Sequence, residues 1–165
     1  MLTYLNRLAR YNQWVNGQLY PECAKLTDEI RKQARGGPYA SIHGVLNHVL
    51  LADRLWLLRF RGEPNPFTSV TQELCADFAE LTGERARTDA DIIAWAASLS
   101  AEQLLQPFSF TSLALKRDFT FQFGHLALHI FTHQIHHRGQ LVTYMKQAGC
   151  TIPVTDLLYL PAELV

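Results

Sequence analysis

The stretch FQFGHLALHIFTHQIHHRGQLVTYMKQAG, Phe121–Gly149, decides how the rest of the chain is read. It holds no proline, ends on a glycine and carries Lys146 in its last turn, the pattern of a helix C-terminus. Leu126, Ile130, Leu141 and Tyr144 recur at helical spacing and mark one apolar face. Five of the seven histidines fall in its first seventeen residues: His125, His129, His133, His136 and His137. His133 and His137 lie on the apolar stripe four residues apart, so their rings leave adjacent turns of one face. The same spacing admits His125 with His129, or His129 with His133, as a pair. His136 adjoins His137 but points about 100° away around the helix.

Neutral imidazole is a good ligand for zinc, nickel, copper and iron, and two histidines at i, i+4 grip one ion without bending the helix. Three protein ligands with one open position make a catalytic site, whereas four close it as a structural one. The HxxxH at His133–His137 supplies two ligands. The third must come from another element, and His48 is the best candidate because it sits with Val45, Ala52 and Leu55 on an apolar helix face. His43, in the first turn of that helix, is expected nearer to solvent. Residue 134 is Gln, so the carboxylate of a metalloprotease HExxH is missing and that reading falls.

The preceding chain reads as three more long helices. The first spans about Thr3–Leu26, with Leu5, Leu8, Asn12, Val15 and Leu19 on one face and Pro21 expected to kink or restart it. Thr27-Asp28-Glu29 reads as a cap opening a short helical turn, and Arg35–Pro38 (RGGP) as a break. The second helix opens at Ser41 as N-cap, ends near Arg61-Gly62 and is apolar around most of its circumference, so it should be buried. A loop follows over Gly62–Thr71. A third helical region covers about Gln72–Leu99, where Gly83 and the charged GERARTD run are expected to interrupt it or to mark an exposed face. Ser100 reads as the cap of a short turn, the segment after Pro107 as a small hairpin or extended crossover, and Cys150–Val165 as an irregular tail across one end. The expectation is an all-α fold: a four-helix bundle with a long connection before its last helix, a single domain over residues 1–165.

At 165 residues, 48% hydrophobic and 18% charged, the composition is that of an ordinary globular domain. Fifteen basic residues balance fifteen acidic ones, which leaves no broad field for steering nucleic acid or an anionic membrane. Cys23, Cys75 and Cys150 are odd in number and far apart, so they form no disulfide framework and read as small buried apolar residues of a cytoplasmic protein. The N-terminal segment lacks an apolar signal region, and no apolar run approaches the roughly 18 residues of a membrane span.

SIHGVLNHVLLADRLWLLRF and HIFTHQIHHRGQLVTYMKQAG, together with the N-terminal YNQWVNGQL, resemble the DinB family of DinB/YfiT-like metalloenzymes. THQIHHRGQL is the most specific piece of that resemblance, which spans most of the chain. It implies a four-helix bundle holding one divalent ion through three histidines, which map to His48, His133 and His137. His125, His129 and His136 fall outside that triad. The resemblance further implies a zinc or nickel enzyme carrying out thiol-dependent transfer or metal-assisted hydrolysis on a small-molecule substrate, with a low-molecular-weight thiol as a second cofactor. The rival is a non-catalytic stress-response protein whose metal is structural. A homodimer is expected, and DNA binding is not, since no groove-reading motif is present. Around the site, Arg138 and Asp53 read as an ion pair, and Gly139 as a point of close approach or a tolerated helical glycine. Gln134 and Gln140 read as polar-face residues, and Trp14, Trp56 and Trp95 as core anchors.

Overall fold

Side-chain caps at Ser41 and Asp77 open two of the four long helices in the computed structural model, which describes residues 1–164. Ser41 Oγ accepts from the Gly44 amide at 3.0 Å, and Asp77 Oδ1 from the Glu80 amide at 2.8 Å. In chain order the elements are α1 (Leu2–Ala24), α2 (Asp28–Lys32), α3 (Ile42–Arg61), α4 (Phe78–Ser98), α5 (Ala101–Leu105), β1 (Pro107–Thr111), β2 (Asp118–Gln122) and α6 (Phe123–Gln147). Two single 3-10 turns, Leu157–Tyr159 and Ala162–Leu164, occupy the tail. Helix α1 packs along α4 and α3 along α6, while further contacts of α3 with α4 and α1 with α6 join the two pairs. Among the described residues, no helix is long and apolar enough to cross a membrane.

The boundaries follow local chemistry. Helix α1 runs through Pro21 instead of restarting there, because a proline so near the C-terminal end forfeits a single intrahelical bond. Gly62 closes α3 with φ 68°, a left-handed cap that a side chain would strain. Helix α4 begins at Phe78, later than the apolar pattern predicts. Asn47 on α3 claims the segment ahead of it: its Oδ1 accepts from the amides of Leu74 and Cys75, and its Nδ2 donates to the Cys75 carbonyl. The segment after Pro107 is an antiparallel hairpin with Phe108 opposite Phe121 and Phe110 opposite Phe119.

The core divides along the helix axes. One apolar cluster includes Val15, Leu19, Ile42, Leu50, Leu81, Leu141 and Met145, and the other Leu5, Trp56, Ile92, Trp95, Leu126 and Ile130. Between them all four long helices contribute buried polar residues. Arg85 Nη1 donates to Asp53 Oδ2 at 2.6 Å and Arg85 Nη2 lies 2.9 Å from Asp89 Oδ1. Asn12 and Asn16 donate to Asp89, and Arg138 donates to Asn12 Oδ1 at 2.7 Å. GERARTD does not interrupt α4, and it divides between two faces: Arg85, Thr88 and Asp89 are buried, whereas Ala86 and Arg87 are exposed. Asp53 pairs with Arg85 of α4 and not with Arg138, whose guanidinium goes to Asn12 of α1. Trp56 and Trp95 are buried, as expected of core anchors, and Trp14 packs half-buried against the first cluster.

Candidate metal centre

In this central polar layer α3 and α6 bring three rings together. His48 Nε2 lies 3.3 Å from His133 Nε2 and 3.2 Å from His137 Nε2, and the latter two are 3.1 Å apart. Nitrogens on a tetrahedral zinc, each at about 2.0–2.1 Å, are about 3.3–3.4 Å from one another. The three atoms form a group of the size that holds one ion. Among the described residues this group contains no fourth histidine, cysteine or carboxylate.

The tautomers sharpen that fit. His48 Nδ1 sits 2.9 Å from the Val70 carbonyl, which can only accept, so Nδ1 carries the hydrogen and Nε2 offers a lone pair. His137 Nδ1 makes the same contact with Gln140 Oε1 at 2.9 Å. The 3.2 Å approach of His48 Nε2 to His137 Nε2 thus sets acceptor against acceptor and is no hydrogen bond. A cation between them resolves it. His133 also presents Nε2 to the other two rings, and its buried Nδ1 has no partner.

Burial keeps these rings neutral. Desolvation lowers His48 to about 4, with the Val70 carbonyl opposing the shift and His137 adding to it. Desolvation, then the neighbouring imidazoles, lowers His133 to about 3. His137 is also lowered by burial, partly offset by Gln140. Neutral imidazoles are the ligating form, so no proton has to leave at neutral pH.

Several supports lie outside any sequence pattern. The Tyr39 ring stacks on His48 at 3.7 Å and meets His137 edge-on at 5.2 Å. Its backbone reaches α3 because residue 44 is glycine: a Cβ there would stand 2.1 Å from the Tyr39 carbonyl oxygen. Gln140 is no mere polar-face residue but the acceptor that orients His137. Gln134 is fully buried. His43 is only 2% exposed, contrary to the expectation from its first-turn position. The segment that Asn47 pins folds over it, and His43 Nε2 lies 2.9 Å from the Cys75 carbonyl. A Cβ at Gly139 would meet no atom within 4 Å, so nothing approaches that glycine closely.

The remaining histidines of α6 stay outside the triad. His125 is exposed and stacks on Phe121 at 5.2 Å, and His136 is exposed beside His137. His129 is half-buried one turn before His133, with its ring edge-on to Trp56 at 5.3 Å. Burial raises all three cysteine thiols, Cys23 to about 12.

The DinB family model matches residues 1–163. The chain belongs to the DinB family. A relative in the same family, Protein DinB of Bacillus subtilis (strain 168), is 28% identical over 171 residues, which cover 97% of this chain and 95% of the relative. Two solved structures share the fold at 18% identity. A DinB-like protein from Bacillus subtilis aligns with a TM-score of 0.66 over 90% of this chain and 97% of its own. A DinB-like protein from Bacillus cereus ATCC 10987 aligns at 0.64 over 84% and 89%.

Proposed function

We propose that this DinB-family protein is a metal-dependent enzyme that binds one divalent ion, zinc or nickel, through His48, His133 and His137. The observation that carries the reading is the close contact of the His48 and His137 ring nitrogens, whose facing lone pairs a shared cation relieves. Three ligands, with no fourth in reach among the described residues, favour a centre open to substrate over the rival structural role. We further read the four long helices as a four-helix bundle forming one domain, in a cytoplasmic homodimer.

A bound divalent ion supplies Lewis acidity toward a carbonyl, a water or a thiol. The chain supplies the rest. The Val70 carbonyl and Gln140 hold two rings in the ligating tautomer, and Tyr39 packs on His48 to fix its plane. A cavity of about 350 Å³ reaches His48 and His133, and no acidic residue lines it. Because the ion itself would activate a water or a thiol, metal-assisted hydrolysis and thiol-dependent transfer both fit this site. In the transfer reading a low-molecular-weight thiol would displace a leaving group from a small molecule in the cavity, and the thiol's proton would depart with that group.

Elemental analysis of tag-free protein, beside the triple variant His48→Ala/His133→Ala/His137→Ala, tests the site. Near-stoichiometric zinc or nickel in the wild type and none in the variant is the expected result. A wild type that stays empty after incubation with either metal defeats the reading.

A further inference from the structure

The cavity that reaches His48 and His133 has a second feature the metal does not use. It lies between α3, α6 and the hairpin, and its walls are mostly apolar: Leu51, Leu55, Trp56, Phe110, Phe119 and Leu126. Arg59 also lines it, at the end of α3 away from the triad. Its guanidinium carbon sits 4.6 Å from the Trp56 ring centre and 4.7 Å from that of Phe110. One of its N–H groups donates to the Thr111 carbonyl at 2.9 Å. Its other N–H groups are not sealed away in the interior, and no acidic residue in the cavity wall pairs with them. Partial burial lowers Arg59 to about 10, so it stays a cation at neutral pH.

We propose that this cavity binds an organic acid with an apolar body, its carboxylate on Arg59 and its far end beside His48 and His133. A guanidinium packed against two aromatic rings in an apolar wall, with no acidic partner, suits a planar anion. The dimensions suit such a ligand. Eleven residues of α3 separate His48 from Arg59, about 16 Å of helix axis, and the arginine side chain leans back toward the histidines. Trp56 and His129 bridge the interval: the Trp56 ring lies 5.3 Å from His129, and His129 lies 5.7 Å from His133. With the Arg59 head reaching back along α3, a medium-chain or arylalkyl acid fills the apolar interval that remains, and a small polar acid does not. The proposal rests on the enzyme reading only in taking the histidine end as the reacting end; the anion site itself stands on Arg59.

Calorimetric titration of zinc-loaded protein with octanoate and phenylbutyrate, each beside its neutral amide, tests this. Both acids are expected to bind at least about tenfold tighter than their amides, as a charge-assisted contact to a partly buried cation requires. Arg59→Gln erases the preference and Arg59→Lys keeps most of it, while both variants melt as the wild type does. Equal binding of acids and amides, no binding of either acid at millimolar concentration, or a preference that survives Arg59→Gln overturns the proposal. A preference that survives Arg59→Gln but vanishes in His133→Ala places the carboxylate on the histidine centre and overturns it too. Metal content of every sample separates the two readings: zinc retained by Arg59→Gln leaves the metal site standing whichever way the acids behave. An empty wild type that still prefers acids defeats the metal reading alone.

Discussion

His48 and His137 each give their Nδ1 hydrogen to an oxygen, and that choice aims two lone pairs at one point. Their neutrality has a measurable consequence. In the unfolded chain an imidazole titrates near 6.5, whereas burial lowers His48 to about 4 and His133 to about 3 in the fold. Below pH 6.5 the unfolded state therefore takes up protons that the folded state refuses, and the metal-free protein loses stability as pH falls. The contribution is fully present above 6.5 and is lost progressively down to the folded values. Urea midpoints of metal-free protein between pH 7.5 and about 5, above most carboxylate titration, should fall with acidification, and the slope should flatten in His48→Gln/His133→Gln. An unchanged slope in that variant would show the rings titrating normally.

At the scale of an element, Gly44 and Gly139 separate two roles that look alike in sequence. Gly44 lets the loop carrying Tyr39 lie on the first turn of α3, where a Cβ would press on backbone oxygen that cannot rotate away. Gly44→Ala should cost on the order of 1–3 kcal/mol by overpacking and loosen Tyr39 from His48. Gly139, exposed in the interior of α6 with open space around it, should behave in the opposite sense. Gly139→Ala should gain about 0.5–1 kcal/mol by removing backbone entropy from the unfolded helix. Denaturant unfolding of the two variants side by side checks both signs, and a stabilising Gly44→Ala would refute the packing argument.

Across the whole molecule, the buried polar layer divides two apolar clusters and holds charges that balance: Asp53 and Asp89 against Arg85 and Arg138. Each of the four long helices contributes at least one member, so the layer fixes their relative heights. That is the level at which His48 must meet His133 and His137. Removing one partner strands a buried charge. Asp53→Ala should cost about 3–5 kcal/mol and lower metal occupancy as the helices lose register. Thermal melting and elemental analysis of the same sample would show it; a loss near that of a surface ion pair would mean that water reaches the layer.

The helix starts at Ser41 and Ser100, the stop at Gly62, the hairpin after Pro107 and the common face of His133 and His137 are all legible in the order of residues alone. Those features arise from positions close together in the chain, where caps, glycine and the 3.6-residue period act locally. The apolar face around His48 made it the best third ligand, the DinB resemblance mapped the same triad, and the fold brings all three nitrogens together. Packing between distant segments settles the rest. Asp53 meets Arg85 instead of Arg138, His43 is covered, α4 starts late because Asn47 holds its approach, and Tyr39 and Gln140 orient the site. Arg59, which reads as one more charge at a helix end, lines the cavity because the hairpin folds over it. Each of these depends on which remote segment packs alongside, and no local periodicity encodes that partner.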